Sequence, residues 1–183
     1  MAFSALYDAN VLYPNVLRDA LIRVGVEGLV RAHWTDAILD EVFRSLTRNR
    51  PELEVDRLRR LRELMCAALP AAMVTDYQDL VVGLTLPDPD DRHVLAAAIR
   101  VGAQVIVTSN LKDFPANRLA PFDIEAKSPD DFLVDQFFLD QSAVRGVIRD
   151  IARSRARPAV TETAITDELE RCGAVRFAAL LRT

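Results

Sequence analysis

A helical pattern followed at once by a short apolar strand constrains the fold of this chain more than any other stretch. The helical pattern carries Val94, Leu95 and Ala98 on one face and is ended by Gly102, and the strand is the β-branched run 105–107. A strand without a polar position is typical of a parallel sheet that is covered on both faces. We therefore predict an α/β fold in which a parallel sheet is sandwiched by helices.

Further strand and helix signals alternate along the first part of the chain. The pattern predicts a strand over residues 3–7, just before Asp8, and an extended piece over residues 29–34. It also predicts a helix whose N-cap is Thr35 and a last strand over residues 122–125. From Ser128 onward the signals are helical. We predict an α/β domain over residues 1–127 and an all-helical C-terminal extension over residues 128–183.

The composition points to a protein of the cytoplasm. The chain has 183 residues, half of them apolar, so it can bury a sizeable core. Its two cysteines, Cys66 and Cys172, are far apart in the sequence, which fits a reducing compartment. No apolar run approaches the roughly 18 residues that a membrane span needs. We expect a soluble, unexported protein with no membrane partner.

The net charge of -4 conceals an uneven distribution of positive charge. All 23 basic residues except Lys112 and Lys127 are arginines, and many fall within residues 44–62 and 145–157. Arginine suits bidentate contact with phosphate, so these clusters could flank a site that acts on nucleic acid. The alternative is that they are solvated helix faces, paired in the first cluster with Glu52, Glu54, Asp56 and Glu63. The sequence does not assign RNA-binding residues.

Acidic residues recur where a parallel sheet opens its crevice. Asp8 follows the first strand, Asp90 and Asp91 begin the helix before the 105–107 strand, and Asp113 follows that strand. Carboxylates about 4 Å apart repel by roughly 4 kcal/mol per pair at an effective dielectric near 20, so a cluster implies a cation or protonation. We expect these acids to meet Glu41 and to hold a divalent cation, since Mg²⁺ prefers oxygen ligands.

Each of these residues also has a purely structural interpretation. Asp90 and Asp91 could complement a helix dipole, Asp113 could cap a turn, and Glu41 could be a boundary residue with its carboxylate in water. His93 is interpreted as a helix-packing histidine. The lack of a histidine and cysteine set disfavours zinc, and neither a Gly-rich phosphate loop nor a Ser/His/Asp set is present.

Taken in order, these residues resemble the PIN domain, in the form found in VapC-type toxin ribonucleases of prokaryotic toxin-antitoxin pairs. The resemblance covers about residues 4–125 and rests on Tyr7-Asp8-Ala9-Asn10, on Glu41 in the helix begun by Thr35, on the run 90–98, and on 107–110 with Asp113-Phe114. It implies a parallel sheet sandwiched by helices and an acidic Mg²⁺ or Mn²⁺ site that hydrolyses phosphodiester bonds in RNA.

The resemblance also implies roles for single residues. Asp8, Glu41 and Asp91 match the first, second and third acids, Asp90 is a neighbour that could substitute, and Asn10 and Thr108 match supporting polar positions. Asn110 stands where many members have aspartate, so Asp113 could supply the missing carboxylate. The expected catalytic set is therefore Asp8, Glu41, Asp91 and Asp113, and the expected metal ligands are Asp8, Glu41, Asp90, Asp91, Asn110 and Asp113.

We therefore expect a divalent-metal-dependent endoribonuclease, the toxin of a type II toxin-antitoxin pair. The resemblance implies an RNA substrate, a small cognate antitoxin as partner, and a homodimer. The main alternative is a PIN-fold module that binds RNA or a partner but does not catalyse, because Asn110 has weakened its metal site. A phosphoacceptor receiver domain also clusters acids at strand ends, but it would need a lysine after its last strand and an acceptor aspartate on a central one.

Overall fold

The computed structural model describes residues 3–155 and 158–183, so Arg157 of the second arginine cluster lies outside the described residues. The strands are β1 (Ser4–Tyr7), β2 (Arg31–His33), β3 (Val105–Val107) and β4 (Glu125–Lys127). The helices up to β4 are α1 (Ala9–Leu12), α2 (Asn15–Val26), α3 (Asp36–Asn49), α4 (Val55–Ala68), α5 (Gln78–Val81), α6 (Arg92–Arg100) and α7 (Ala116–Leu119). The helices after β4 are α8 (Pro129–Leu139), α9 (Gln141–Ser154), α10 (Glu162–Arg171) and α11 (Val175–Leu181).

The four strands form one parallel sheet in the order β2-β1-β3-β4. Every residue of β1 and β3 is buried, and helices pack against the sheet, with α6 on β1 and β3, α2 on β2 and α8 on β4. Buried apolar strands between helices are what the 105–107 run predicted. The predicted α/β fold, with a sandwiched parallel sheet and a helical C-terminal extension, is confirmed.

Adjacent parallel strands bring the ends of β1 and β3 together. Tyr7 pairs with Val107, and the backbone N–H of Asp8 donates to the carbonyl oxygen of Val107 at 3.0 Å. Asp8 and Thr108 therefore follow two neighbouring strands at the same edge of the sheet, where open α/β sheets place their ligand sites.

Two helix starts fix the other acidic residues. The Thr35 hydroxyl accepts the N–H of Ile38 at 3.0 Å and begins α3, whose buried stripe leaves Glu41 at its edge. The Asp88 carboxylate accepts the N–H of Asp90 at 2.9 Å and begins the 3₁₀ turn Pro89–Asp91, which leads into α6. Since α6 packs on β1 and β3, its first turn lies near their ends.

The last strand does not lie where the sequence predicted it. β4 begins at Glu125, whereas the prediction was a strand over residues 122–125. Phe122 ends a 3₁₀ turn that contains Pro121, and Asp123 adopts a left-handed backbone with φ of 56°. A chain in that conformation cannot be extended, so pairing with β3 starts two residues later.

Hydrogen bonds from α8 and α9 hold both ends of α11 within the helical extension. The Asp130 carboxylate accepts the N–H groups of Arg176 and Phe177 at 3.1 and 2.8 Å, which satisfies donors at the start of α11. The Arg145 guanidinium donates to the carbonyl oxygens of Leu181 and Leu180 at 2.9 and 3.2 Å, at the end of that helix. Helices α9 and α10 also pack against α2.

Within the described residues, no helix combines the length and apolar character that a membrane crossing requires.

Candidate metal centre

The Asp8 carboxylate is buried and held by three donors. Its Oδ1 accepts the N–H of Ala9 at 2.7 Å, and its Oδ2 accepts the Asn10 amide at 2.6 Å and the Thr108 hydroxyl at 2.8 Å. Burial raises the pKa of Asp8, and the hydrogen bonds from Thr108 and Ala9 oppose that rise because they stabilise the ionised form. These three hydrogen bonds therefore fix the orientation of the Asp8 carboxylate.

The two predicted supporting residues link α1 to the end of β3. The Thr108 hydroxyl accepts the Asn10 amide at 3.1 Å and the N–H of Asn110 at 3.0 Å. The Asn10 side-chain oxygen accepts the N–H of Ser109 at 2.9 Å. Both residues therefore touch Asp8 directly and also fix the backbone that leads to Asn110.

Asp8, Glu41 and Asp91 line one cavity. Its volume is about 370 Å³, and α1, α3 and the turn before α6 each contribute wall residues, among them Asn10, Tyr13, Ser45 and Asn49. Three acids that are far apart in the sequence are therefore brought to one place by the parallel sheet and its helices.

Glu41 is paired with a histidine. The Nε2 atom of His93 lies 3.0 Å from Oε1 of Glu41, and the side chains are 19% and 43% exposed. The other ring nitrogen, Nδ1, is buried and has no hydrogen-bond partner among the described residues. The interpretation of His93 as a packing residue missed this contact with the acidic cavity.

Asp91 lines the cavity and also belongs to a second group of acids. Asp88, Asp91 and Asp113 each offer an oxygen, and these three atoms lie within 4.8 Å of one another. The pKa of Asp91 is raised to about 6, first by burial and then by the negative charges of Asp8, Asp88 and Asp113. Asp88 was not in the predicted ligand set, which took only Asp90 and Asp91 from this helix start.

The remaining predicted ligands occupy different places. The Asn110 amide donates a short hydrogen bond to Oδ2 of Asp113, so it contacts the second group of acids. Asp90 is exposed and belongs neither to the cavity wall nor to the group of Asp88, Asp91 and Asp113.

This donor set fits a divalent cation. Carboxylates are the ligands that Mg²⁺ and Mn²⁺ prefer. The pKa of Asp91 is raised first by burial and then by the negative charges of three neighbouring carboxylates, and a cation beside Asp91 would relieve that repulsion.

Two family models and one curated relative match this chain. A family model described as "PIN domain" matches residues 4–112, and one described as "VapC50 C-terminal domain" matches residues 129–183. "Putative ribonuclease VapC50" of Mycobacterium tuberculosis (strain ATCC 25618 / H37Rv) is 43% identical to the chain over 101 residues, 55% of the chain and 59% of that protein. The chain therefore spans about three fifths of the curated relative it matches. No solved structure is significantly similar.

Proposed function

Because this chain belongs to the PIN domain family, we propose that it is a divalent-metal-dependent endoribonuclease that hydrolyses phosphodiester bonds in RNA. The observation that carries the proposal is the convergence of Asp8, Glu41 and Asp91 on one cavity. The name of the relative VapC50 supports the choice of RNA as substrate.

We assign the binding of one Mg²⁺ or Mn²⁺ ion to Asp8, Glu41 and Asp91, directly or through water, and an outer or second position to Asp113 and Asn110. When bound, the cation supplies Lewis-acid activation of water and charge neutralisation at the leaving oxygen. Asp88 is added to the predicted set because its carboxylate lies in the same group as those of Asp91 and Asp113.

The protein's own groups orient this site. Thr108 and Asn10 hold Oδ2 of Asp8, so that carboxylate keeps one orientation at the cavity wall. His93 contacts Oε1 of Glu41, which α3 contributes to the same cavity wall. Pre-set ligands lose little conformational freedom when the substrate phosphate enters, which favours the reactive geometry.

The same proposal includes the biological setting. The protein is the toxin of a type II toxin-antitoxin pair, acts in the cytoplasm, forms a homodimer and is bound by a small cognate antitoxin; these parts of the proposal come from the family resemblance, and the name of the relative, a ribonuclease VapC50, supports the VapC type. The match of a separate family model to residues 129–183 supports the division into a nuclease domain of residues 1–127 and an extension of residues 128–183.

An Asp8→Asn variant tests the activity. We expect wild-type protein to cleave single-stranded RNA with Mn²⁺, and Asp8→Asn to lose that cleavage, because a ligand charge is removed while the side chain keeps its size. Asp79→Asn is the matched control, since Asp79 is exposed on α5 and lies outside the cavity wall. Full activity of Asp8→Asn would refute this site.

Asn110 is the observation that favours a second candidate, a PIN-fold module that binds RNA or a partner without catalysis. An amide at this position lowers the negative charge of the site by one. Calorimetric titration with Mn²⁺ separates the candidates, because only the nuclease requires binding that disappears in both Asp8→Asn and Asp91→Asn.

A further inference from the structure

A groove lined by leucines and arginines lies beside the acidic cavity. Its volume is about 460 Å³, and it is bounded by α4, the end of α3 and the segment from Tyr13 to Arg18. The apolar lining includes Leu46, Leu53, Leu61 and Leu64, and the charged lining consists of Arg18, Arg50, Arg57 and Arg60. No carboxylate is among its lining residues in the described parts of the chain.

Arg18 gives the groove a fixed positive charge. The residue is 6% exposed, and its guanidinium donates to the carbonyl oxygens of Leu12 and Tyr13 at 2.9 and 3.1 Å and to the Asn15 side chain at 2.8 Å. All three acceptors are neutral. Asp19, the acid that acts on it electrostatically, is itself paired with Arg23 at 2.6 Å. Arg18 is therefore a buried cation that has no counter-ion of its own in the described part of the chain, and such a charge attracts an anion to the groove.

The exposed arginines of the groove add to this charge. Arg57 forms no ion pair within the described residues, whereas Arg60 pairs with Glu63 at 3.3 Å and Arg50 pairs with Glu52. Exposed pairs of this kind are weak, so a phosphate can replace the carboxylate partner. Two other arginines of the first cluster are paired outside the groove: Arg59 with Asp56, and Arg62 with Asp36 and Asp40.

The groove and the acidic cavity share a wall. Tyr13 lines both, and the Asn49 amide lies 3.5 Å from the Tyr13 hydroxyl. Glu41, Ser45 and Asn49 follow at four-residue spacing along one face of α3, so Asn49 lies about 12 Å from Glu41 along the helix axis. The next residue, Arg50, lines the groove. One extended polymer can therefore occupy both sites.

We propose that this groove binds the single-stranded RNA segment adjacent to the phosphate that the acidic cavity cleaves. Arg57 and Arg60 contact backbone phosphates, Arg18 supplies charge from the wall, and bases pack on Tyr13 and on the exposed Leu64. This assignment rests on the proposed nuclease function. The wall shared with the cavity favours the substrate strand over an acidic protein segment as the occupant.

Fluorescence anisotropy with a labelled single-stranded RNA of about 12 nucleotides tests the groove without catalysis. The protein is kept in EDTA, and Arg57→Glu is compared with Arg59→Glu. Both residues are exposed on α4, but Arg59 pairs with Asp56 and lies outside the groove. We expect Arg57→Glu to weaken binding about tenfold relative to Arg59→Glu and to lower the salt-dependence slope by about 0.7 for each phosphate that the variant no longer binds.

Equal RNA affinities of the two variants would overturn the proposal and would leave an acidic protein segment as the occupant of the groove. Cleavage with Mn²⁺ gives an independent reading. Arg57→Glu should raise KM for the long RNA more than it changes kcat, whereas Arg59→Glu should leave KM near the wild-type value. A wild-type protein that binds RNA through Arg57 but cuts none would refute the nuclease function and retain the groove.

Discussion

The hydroxyl of Thr108 donates a 2.8 Å hydrogen bond to Oδ2 of Asp8 across 100 residues of sequence. The contact exists because β1 and β3 are adjacent and parallel, so that the residues after each strand meet. Thr108 is fully buried and carries no charge, so its contribution to the site is to orient the Asp8 carboxylate and to keep it ionised.

Replacing Thr108 with valine should impair cleavage while preserving the fold. Valine has nearly the same shape but cannot donate, so Asp8 loses orientation and its pKa rises further. We expect kcat to fall about 10- to 100-fold and the lower limb of the pH-rate profile to move to higher pH. Thr108→Ser, which keeps the hydroxyl, should restore both quantities. A normal profile for Thr108→Val would contradict the positioning role.

Asp91→Asn should stabilise the metal-free protein at neutral pH. The ordinary pKa of 3.8 applies in the unfolded chain, and the folded value is about 6, so the folded protein holds the proton more tightly. Ionisation of Asp91 therefore lowers the free energy of unfolding. The penalty is absent below about pH 3.8, develops up to about pH 6 and is complete above it.

Thermal unfolding in EDTA measures this effect. We expect Asp91→Asn to melt a few degrees above wild type near neutral pH and to match wild type at about pH 3.5, although it loses Mn²⁺ binding. A melting temperature of Asp91→Asn below that of wild type at neutral pH would show that ionised Asp91 does not destabilise the folded protein.

Asn110→Asp should lower the stability of the metal-free protein and raise its affinity for a divalent cation. In the wild-type protein the Asn110 amide donates to Asp113. An aspartate at position 110 would lose that hydrogen bond and add a like charge beside Asp113. We expect a lower melting temperature in EDTA, tighter Mn²⁺ binding by calorimetry, and a larger rise in melting temperature on adding Mn²⁺. Asn110→Ala, which removes the hydrogen bond without adding charge, is the control. Unchanged Mn²⁺ affinity in Asn110→Asp would place residue 110 outside the cation site.

Arg145→Ala should destabilise the helical extension. The guanidinium satisfies two carbonyl oxygens at the end of α11 and lies 5.2 Å from the centre of the Phe137 ring. Removing these interactions should lower the free energy of unfolding by about 1–3 kcal/mol, measured in urea. Arg149→Ala, an exposed arginine of the same helix, should change it little. Equal stability of the two variants would contradict the role of Arg145.

The acids of the cavity were predictable because their positions follow from the sheet. Buried strands before Asp8 and before Thr108 predicted a parallel sheet covered on both faces, in which the carboxyl ends of the strands share one edge. The structure adds that these two strands are neighbours in the order β2-β1-β3-β4. Glu41 lies on the edge of an apolar helix face, which left the direction of its carboxylate open, and the family resemblance matched it to the second acid.

The sequence could not place Asp88 or His93, because their contacts depend on tertiary structure. Asp88 does cap the next turn, as a local interpretation suggests, but only the approach of the loop after β3 brings Asp113 beside it. His93 meets Glu41 from a different helix. The misplaced last strand has a local cause, since the backbone turn at Asp123 outweighs the apolar character of Phe122.

The pairing of β1 with β3 has a consequence for synthesis of the protein. A ribosome that has translated as far as Val107 has already produced Asp8, Glu41 and Asp91, yet the nascent chain still lacks Thr108 and Asp113. A polypeptide that ends before Thr108 therefore lacks two side chains of the proposed centre, so assembly of that centre waits for the second half of the sequence.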